Sequence, residues 1–172
     1  MEYFHIQQDH RVSGHPKFAN PSILTHIESH QHVYCESVKQ QSTLGDVTLP
    51  FIDHPVFIIS KELKSLFSEY QEGAGFFPFF TKGIDGKGVP YYVFRPLILD
   101  CLSKEAALSS GKRDVKKLLL DRDKIGSHKV FQVGGILARY LIVDLEILEI
   151  MLYSGVQPFV FSPALLSARE EV

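Results

Sequence analysis

Tryptophan is absent from this chain of 172 residues, and cysteine and methionine occur only twice each. Cys35 and Cys101 are too few for a disulfide framework, so each is expected to be a free thiol. A basic excess is missing too: 18 Lys and Arg stand against 20 Asp and Glu, giving a formal charge of -2 and a pI near 6.4. No nucleic-acid partner and no membrane partner are therefore expected, since either surface normally shows that excess. No apolar run reaches the roughly 18 residues needed to span a bilayer. Met1-Glu2-Tyr3-Phe4-His5 also lacks a basic stretch followed by an apolar one, which points to a cytoplasmic protein.

What the chain does have is aromatic mass. Thirteen Phe and seven Tyr in a sequence that is 45% hydrophobic and 22% charged predict one Phe-rich core, and the length suits a single domain over residues 1–172. Residues 1–49 are hard to read, whereas 50–163 are punctuated clearly.

The clearest stretch lies near the C-terminus. Tyr140-Leu141-Ile142-Val143 has the composition of a buried strand. Asp144 then offers a carboxylate to the free N–H groups of a first helical turn, predicting a helix over 144–154 that is covered on most sides. Gly155 stops it, and Phe159-Val160-Phe161 is a further strand closed by Pro163. The same grammar occurs earlier. Val56-Phe57-Ile58-Ile59 is a strand, Ser60 a cap, and Leu63, Leu66, Phe67 and Tyr70 form the apolar stripe of a helix over 60–71. Ile58-Ile59-Ser60 thus matches Ile142-Val143-Asp144, a weak internal repeat that shared helix grammar alone can produce.

Around these units, 2–8 reads as an edge strand, and 76–94 as a hairpin whose Pro78 argues for an edge or a bulge. Residues 97–99 extend that sheet past Pro96, 115–120 form another strand, and 121–127 a single helical turn. Residues 130–133 and 136–143 read as a second hairpin joined by Gly134-Gly135. The expected fold is α+β, with one mixed, largely antiparallel sheet and two main helices.

Reactive constellations are sparse. His26, Glu28, His30 and His32 would share one face of a strand, with Cys35 close behind, so the segment could offer ligands to a metal. No zinc signature accompanies them, and a solvated polar face is the simpler reading; neither a metal nor a cofactor is expected. The glycine run over 83–88 lacks the spacing of a phosphate loop and is not followed by a helix, so it is read as a hairpin turn. Gly-x-Ser-x-Gly is absent, and Cys101 at a strand end is read as a structural thiol. No pair of carboxylates is set apart for acid–base work, so the protein is not expected to be an enzyme. Lys112, Arg113, Lys116, Lys117, Arg122 and Lys124 alternate with Asp114, Asp121 and Asp123, a solvated face that could offer charges to a partner.

Several of these features occur in a definite order: Val56-Phe57-Ile58-Ile59-Ser60-Lys61-Glu62-Leu63, then Tyr91-Tyr92-x-Phe94-x-Pro96 with Asp100-Cys101-Leu102, then Leu120-Asp121-x-x-Lys124-Ile125 and Val130-Phe131-x-Val133-x-Gly135, and the closing strand, helix and Phe161. Over residues 50–163 this pattern resembles a family of immunity-type proteins of bacterial polymorphic toxin systems. It departs from that pattern at Pro158, where a glycine is expected. The resemblance implies a cytoplasmic protein that binds and neutralises a cognate toxin, with no catalytic set. Partner-binding residues are then expected in the loops: Asp85 and Lys87 at the hairpin tip, and Lys112, Arg113, Lys116, Lys117 and Arg122 on the mixed-charge face. The alternatives are a small metal-binding protein or enzyme built on His26, His30, His32 and Cys35, and an interaction module with some other partner.

Overall fold

The computed structural model describes residues 2–12, 24, 35–36, 49–71, 73–82, 88–108 and 115–167. The chain opens with β1 (Tyr3–Gln7), followed by the short strands β2 (Cys35–Glu36) and β3 (Phe51–Ile52). β4 (Ile58–Ser60) runs straight into helix α1 (Lys61–Tyr70), because the Ser60 hydroxyl accepts from the Leu63 N–H and so satisfies a donor the first turn leaves free. β5 (Gly75–Lys82) and β6 (Gly88–Arg95) form the expected hairpin. Short pieces follow: β7 (Ile98–Leu99), β8 (Ala107–Leu108), β9 (Val115–Lys117), β10 (Leu119–Leu120) and the single turn α2 (Arg122–Ile125), capped by Asp121. β11 (Val130–Val133) and β12 (Leu141–Asp144) lead to α3 (Leu145–Tyr153), capped by Asp144, and β13 (Val160–Leu166) closes the fold.

The α+β class and both main helices match the sequence reading. The strands, however, are divided between sheets where one was expected: a six-stranded sheet in the order β10-β13-β1-β12-β11-β7, a five-stranded sheet in the order β2-β5-β6-β4-β3, and the pair β8-β9. The switch occurs after β6. Pro96 has no N–H to continue the ladder, and the Leu97 carbonyl instead accepts from Gln132 N at 2.8 Å, which delivers β7 to the other sheet beside β11.

Three further expectations are corrected. β1 is no edge strand; it lies between β12 and β13, antiparallel to both. β11 and β12 do pair antiparallel, but residues 134–140 make a longer loop in place of a two-residue turn. Gly134 is held there by its N–H bond to the Leu99 carbonyl at 2.7 Å, and an added Cβ would meet that oxygen at 3.1 Å. Pro163 does not end the last strand. β10 reaches β13 only at Leu165 and Leu166, so at Pro163 the outer side of β13 is an edge, where a missing N–H is tolerated.

Both sheets are buried on both faces. Alternate residues of each sheet, among them Ile6, Leu141, Val143, Ile59 and Phe94, join Leu63 and Phe67 of α1 and Ile147, Leu148 and Met151 of α3 in one cluster. Phe94 anchors it, with the rings of Phe67 and Phe76 each 5.2 Å away. The outer face of the five-stranded sheet is covered around Ile58, Tyr91 and Val93, and that of the six-stranded sheet around Tyr3, Phe131 and Ile142.

Candidate functional site: the cleft between the helix ends

The helices run antiparallel, which brings the start of α1 to the end of α3. At that start the Ser60 N–H donates to the Pro50 carbonyl at 2.9 Å, so the first turn is pinned to the residue that leads into the neighbouring strand β3. At the other side α3 ends on Ser154, whose N–H returns to Ile150 O, and Gly155 at φ 70 reverses the chain. Between them is an open cleft of about 390 Å³ lined by Pro50, residues 60–62, Val89, Pro90 and residues 154–157. Lys61 brings an exposed ammonium, Glu62 a carboxylate and Gln157 an amide. Tyr153, directly before the lining residues, is 90% exposed. A mixed pair of charges, an amide and a free-standing tyrosine make up the chemistry of a protein contact surface.

The opposite ends of the helices are filled. Lys129 Nζ lies 5.1 Å from the centre of the Tyr70 ring at the end of α1 and donates to Glu146 Oε2 at 2.6 Å in the first turn of α3. That bond holds the Lys129 ammonium charged to higher pH than usual. A second cleft, of about 410 Å³, lies at the end of β1 and is lined by residues 7–11 and Val160. Its charges answer each other: Arg11 donates to both Asp9 oxygens, at 2.9 and 2.8 Å, and draws the Asp9 carboxyl down to about 2.

Cys101 is buried in the core and His5 is half-buried, whereas His10, His54 and His128 are exposed. Burial pushes the Cys101 thiol up to about 11, so it stays protonated and weakly nucleophilic. Burial also pushes the His5 imidazole down to about 4, against the pull of Asp53, and its ring lies 4.7 Å from that of Tyr140. Asp144 is raised by burial, partly offset by the bond it accepts from the Ile147 N–H.

Of the partner-binding residues read from the sequence, Asp85, Lys87, Lys112 and Arg113 lie outside the described residues, as do His26, His30 and His32 of the metal reading. Lys116 and Lys117 are placed by their backbone in β9, and Cys35 by its backbone in β2. Arg122 opens α2. Within the same run Asp121 caps α2 and Lys124 Nζ donates to the Leu102 carbonyl at 3.1 Å, so part of the charged face serves the fold. Among the described residues no three His, Cys, Asp or Glu side chains are grouped to hold a metal ion, and no helix is long and apolar enough to cross a membrane. The sequence reading missed the cleft and Tyr153. It took α3 as covered on most sides, whereas Leu145 and Leu152 are partly exposed and Tyr153 almost fully so. The available signal was a tyrosine two residues past the last core position, Met151, and so on the opposite face of the helix, with Gly155 ending the helix. Comparison with protein-family profiles, with curated proteins and with solved structures gives no match.

Proposed function

We propose that the protein is a cytoplasmic binding protein of the immunity class, without catalytic activity, that neutralises a cognate toxin by occupying its surface. The observation that carries this reading is Tyr153, standing in solvent beside the cleft at the helix ends. Tyrosine supplies a large contact area at low entropic cost and is among the residues that dominate binding energy when a partner covers them. Two things support it. The ordered pattern over residues 50–163 resembles immunity-type proteins, and Cys101 is sealed in the core with its thiol protonated, while His5 is partly buried with its imidazole neutral. Asp85, Lys87, Lys112, Arg113, Lys116, Lys117 and Arg122 are proposed to add charge at the rim, where they steer encounter more than they hold the complex.

Co-expression with the product of each flanking gene that reads as a secreted toxin, followed by calorimetry on the two purified proteins, tests the proposal. A protein that must silence a lethal partner needs roughly nanomolar affinity, about -12 kcal/mol. Rescue of growth and a complex in that range are the expected outcomes; no protection and no heat of binding would remove the reading.

A further inference from the structure

The two strand–helix units correspond far beyond their caps. In the five-stranded sheet the order β5-β6-β4-β3 surrounds the unit β4-α1-β5, and in the six-stranded sheet β13-β1-β12-β11 surrounds β12-α3-β13. Setting Ser60 on Asp144 brings the rest into line. Ser60 N donates to Pro50 O at 2.9 Å, and Asp144 N to Lys129 O at 2.9 Å. Ser60 pairs with Tyr91 across the ladder, and Asp144 with Tyr3. The Tyr91 hydroxyl donates to the carbonyl of Leu49, the residue before Pro50, at 3.2 Å; the Tyr3 hydroxyl donates to that of His128, the residue before Lys129, at 3.3 Å. One strand further, Pro78 stands opposite Tyr92, and Pro163 opposite Phe4.

A strand–helix–strand unit with one antiparallel strand inserted is a common arrangement, so strand order alone proves little. Nothing in that arrangement requires a tyrosine at one register position to reach back to one particular carbonyl, nor a proline on the next strand opposite the residue after that tyrosine. Both occur in each unit. We infer that the chain contains two copies of one β-β-α-β-β unit, and that the second copy is circularly permuted: its last strand, the equivalent of β6, is β1, which precedes the rest. The break falls between β13 and β1, at the place where the first copy joins β5 to β6 through residues 83–87. This explains why β1 lies inside the six-stranded sheet and why the helices run antiparallel, one from each copy, over a shared core.

The copies also show where the architecture has diverged. The cleft at the start of α1 has its counterpart at the start of α3, and there Lys129, Glu146 and Tyr70 fill the space. The open cleft therefore does not follow from the shared unit and was set by later change in one copy.

The test moves the break. In one full-length variant Val172 is fused to Met1 and the chain is opened between residues 48 and 49, so that both copies become contiguous. In a second it is fused likewise and opened between residues 86 and 87, so that the first copy carries the break the second now has, and β6 becomes the opening strand. Equivalent copies should tolerate the break equivalently. Both variants are expected to melt cooperatively, with Tm within about 10 °C of the parent. Failure of the second variant to fold while the first folds would overturn the equivalence of the copies, and failure of the first would overturn the assignment of β1 to the C-terminal unit.

Discussion

The side-chain amide of Gln71 donates to the carbonyl of Val130 at 2.7 Å, a buried bond that ties the end of α1 to the first residue of β11. It therefore crosses from one copy of the unit to the other. The amide oxygen of the same side chain is buried and meets no donor among the described residues. Gln71→Ala would leave the Val130 carbonyl unpaired in the core, which costs about 1–3 kcal/mol. Gln71→Met removes the same donor and the same orphaned oxygen but keeps the bulk, so its loss should be smaller by the packing that alanine forfeits. Urea unfolding of both variants checks this; losses under about 0.5 kcal/mol in both would mean the bond does not form.

The two helix caps should respond differently to substitution, because one is a hydroxyl and the other a buried carboxylate. Ser60→Ala loses the acceptor of the Leu63 N–H and should cost about 1 kcal/mol, as should Asp144→Ala through the Ile147 N–H. Asp144→Asn keeps an acceptor and removes a charge that burial disfavours. The sign follows from its raised pKa: between the ordinary carboxylate value and the higher folded value, the folded state binds more protons than the unfolded one, so this group favours folding more as pH falls through that window. Asp144→Asn should therefore be at least as stable as the parent at pH 7, and it should lose that part of the acid-side gain. A large loss at neutral pH would show that the charge itself is needed for the cap.

How much of this was legible depended on sequence separation. α1 and α3 were readable because cap, apolar stripe and stop all fall within fourteen residues, as from Ser60 through Leu63 and Phe67 to Gly73. The β5-β6 hairpin was readable because its strands are neighbours in the chain. β1 was not, since its partners lie at 141–144 and 160–164, and an isolated run of five residues carries no mark of a central position. In the sequence the repeat shows only along the strand and helix, where Ile58-Ile59-Ser60, Glu62, Leu63, Leu66 and Phe67 match Ile142-Val143-Asp144, Glu146, Ile147, Ile150 and Met151. Its other half rests on Tyr3 and Tyr91, which are matched by register and not by order in the chain. The cleft was invisible for the same reason, being formed where residues 60–62 meet residues 154–157.

Acid sensitivity should trace to His5. Its imidazole is held down to about 4 by burial beside Tyr140, with Asp53 acting weakly in the other direction. The unfolded chain therefore takes up a proton first as pH falls from about 6.5, and stability drops progressively until the folded imidazole also titrates near 4. The full loss is on the order of 3 kcal/mol. His5→Phe, which keeps a ring against Tyr140, should flatten the decline between those pH values. Chemical unfolding midpoints of parent and variant from pH 7 down to pH 4.5 measure the difference, and parallel curves would show that some other group carries the acid response.

Binding and folding should separate cleanly at two aromatic positions. Phe131 is fully buried in the outer core of the six-stranded sheet, so Phe131→Ala should cost about 3–5 kcal/mol of stability and reduce protection only because folded protein is lost. Tyr153 touches solvent over most of its surface, so Tyr153→Ala should leave Tm within about two degrees of the parent. If it anchors the partner, the same substitution should weaken binding by at least about 2 kcal/mol, a loss of roughly 30-fold in Kd, and protection in co-expression should fall accordingly. Glu62→Lys, in the lining of the cleft, provides the companion measurement, since reversing a rim charge alters the association rate and its salt dependence more than the lifetime of the complex. Full protection by Tyr153→Ala together with an unchanged Kd would place the interface away from the helix ends and direct attention to the charged run from Lys112 to Arg122.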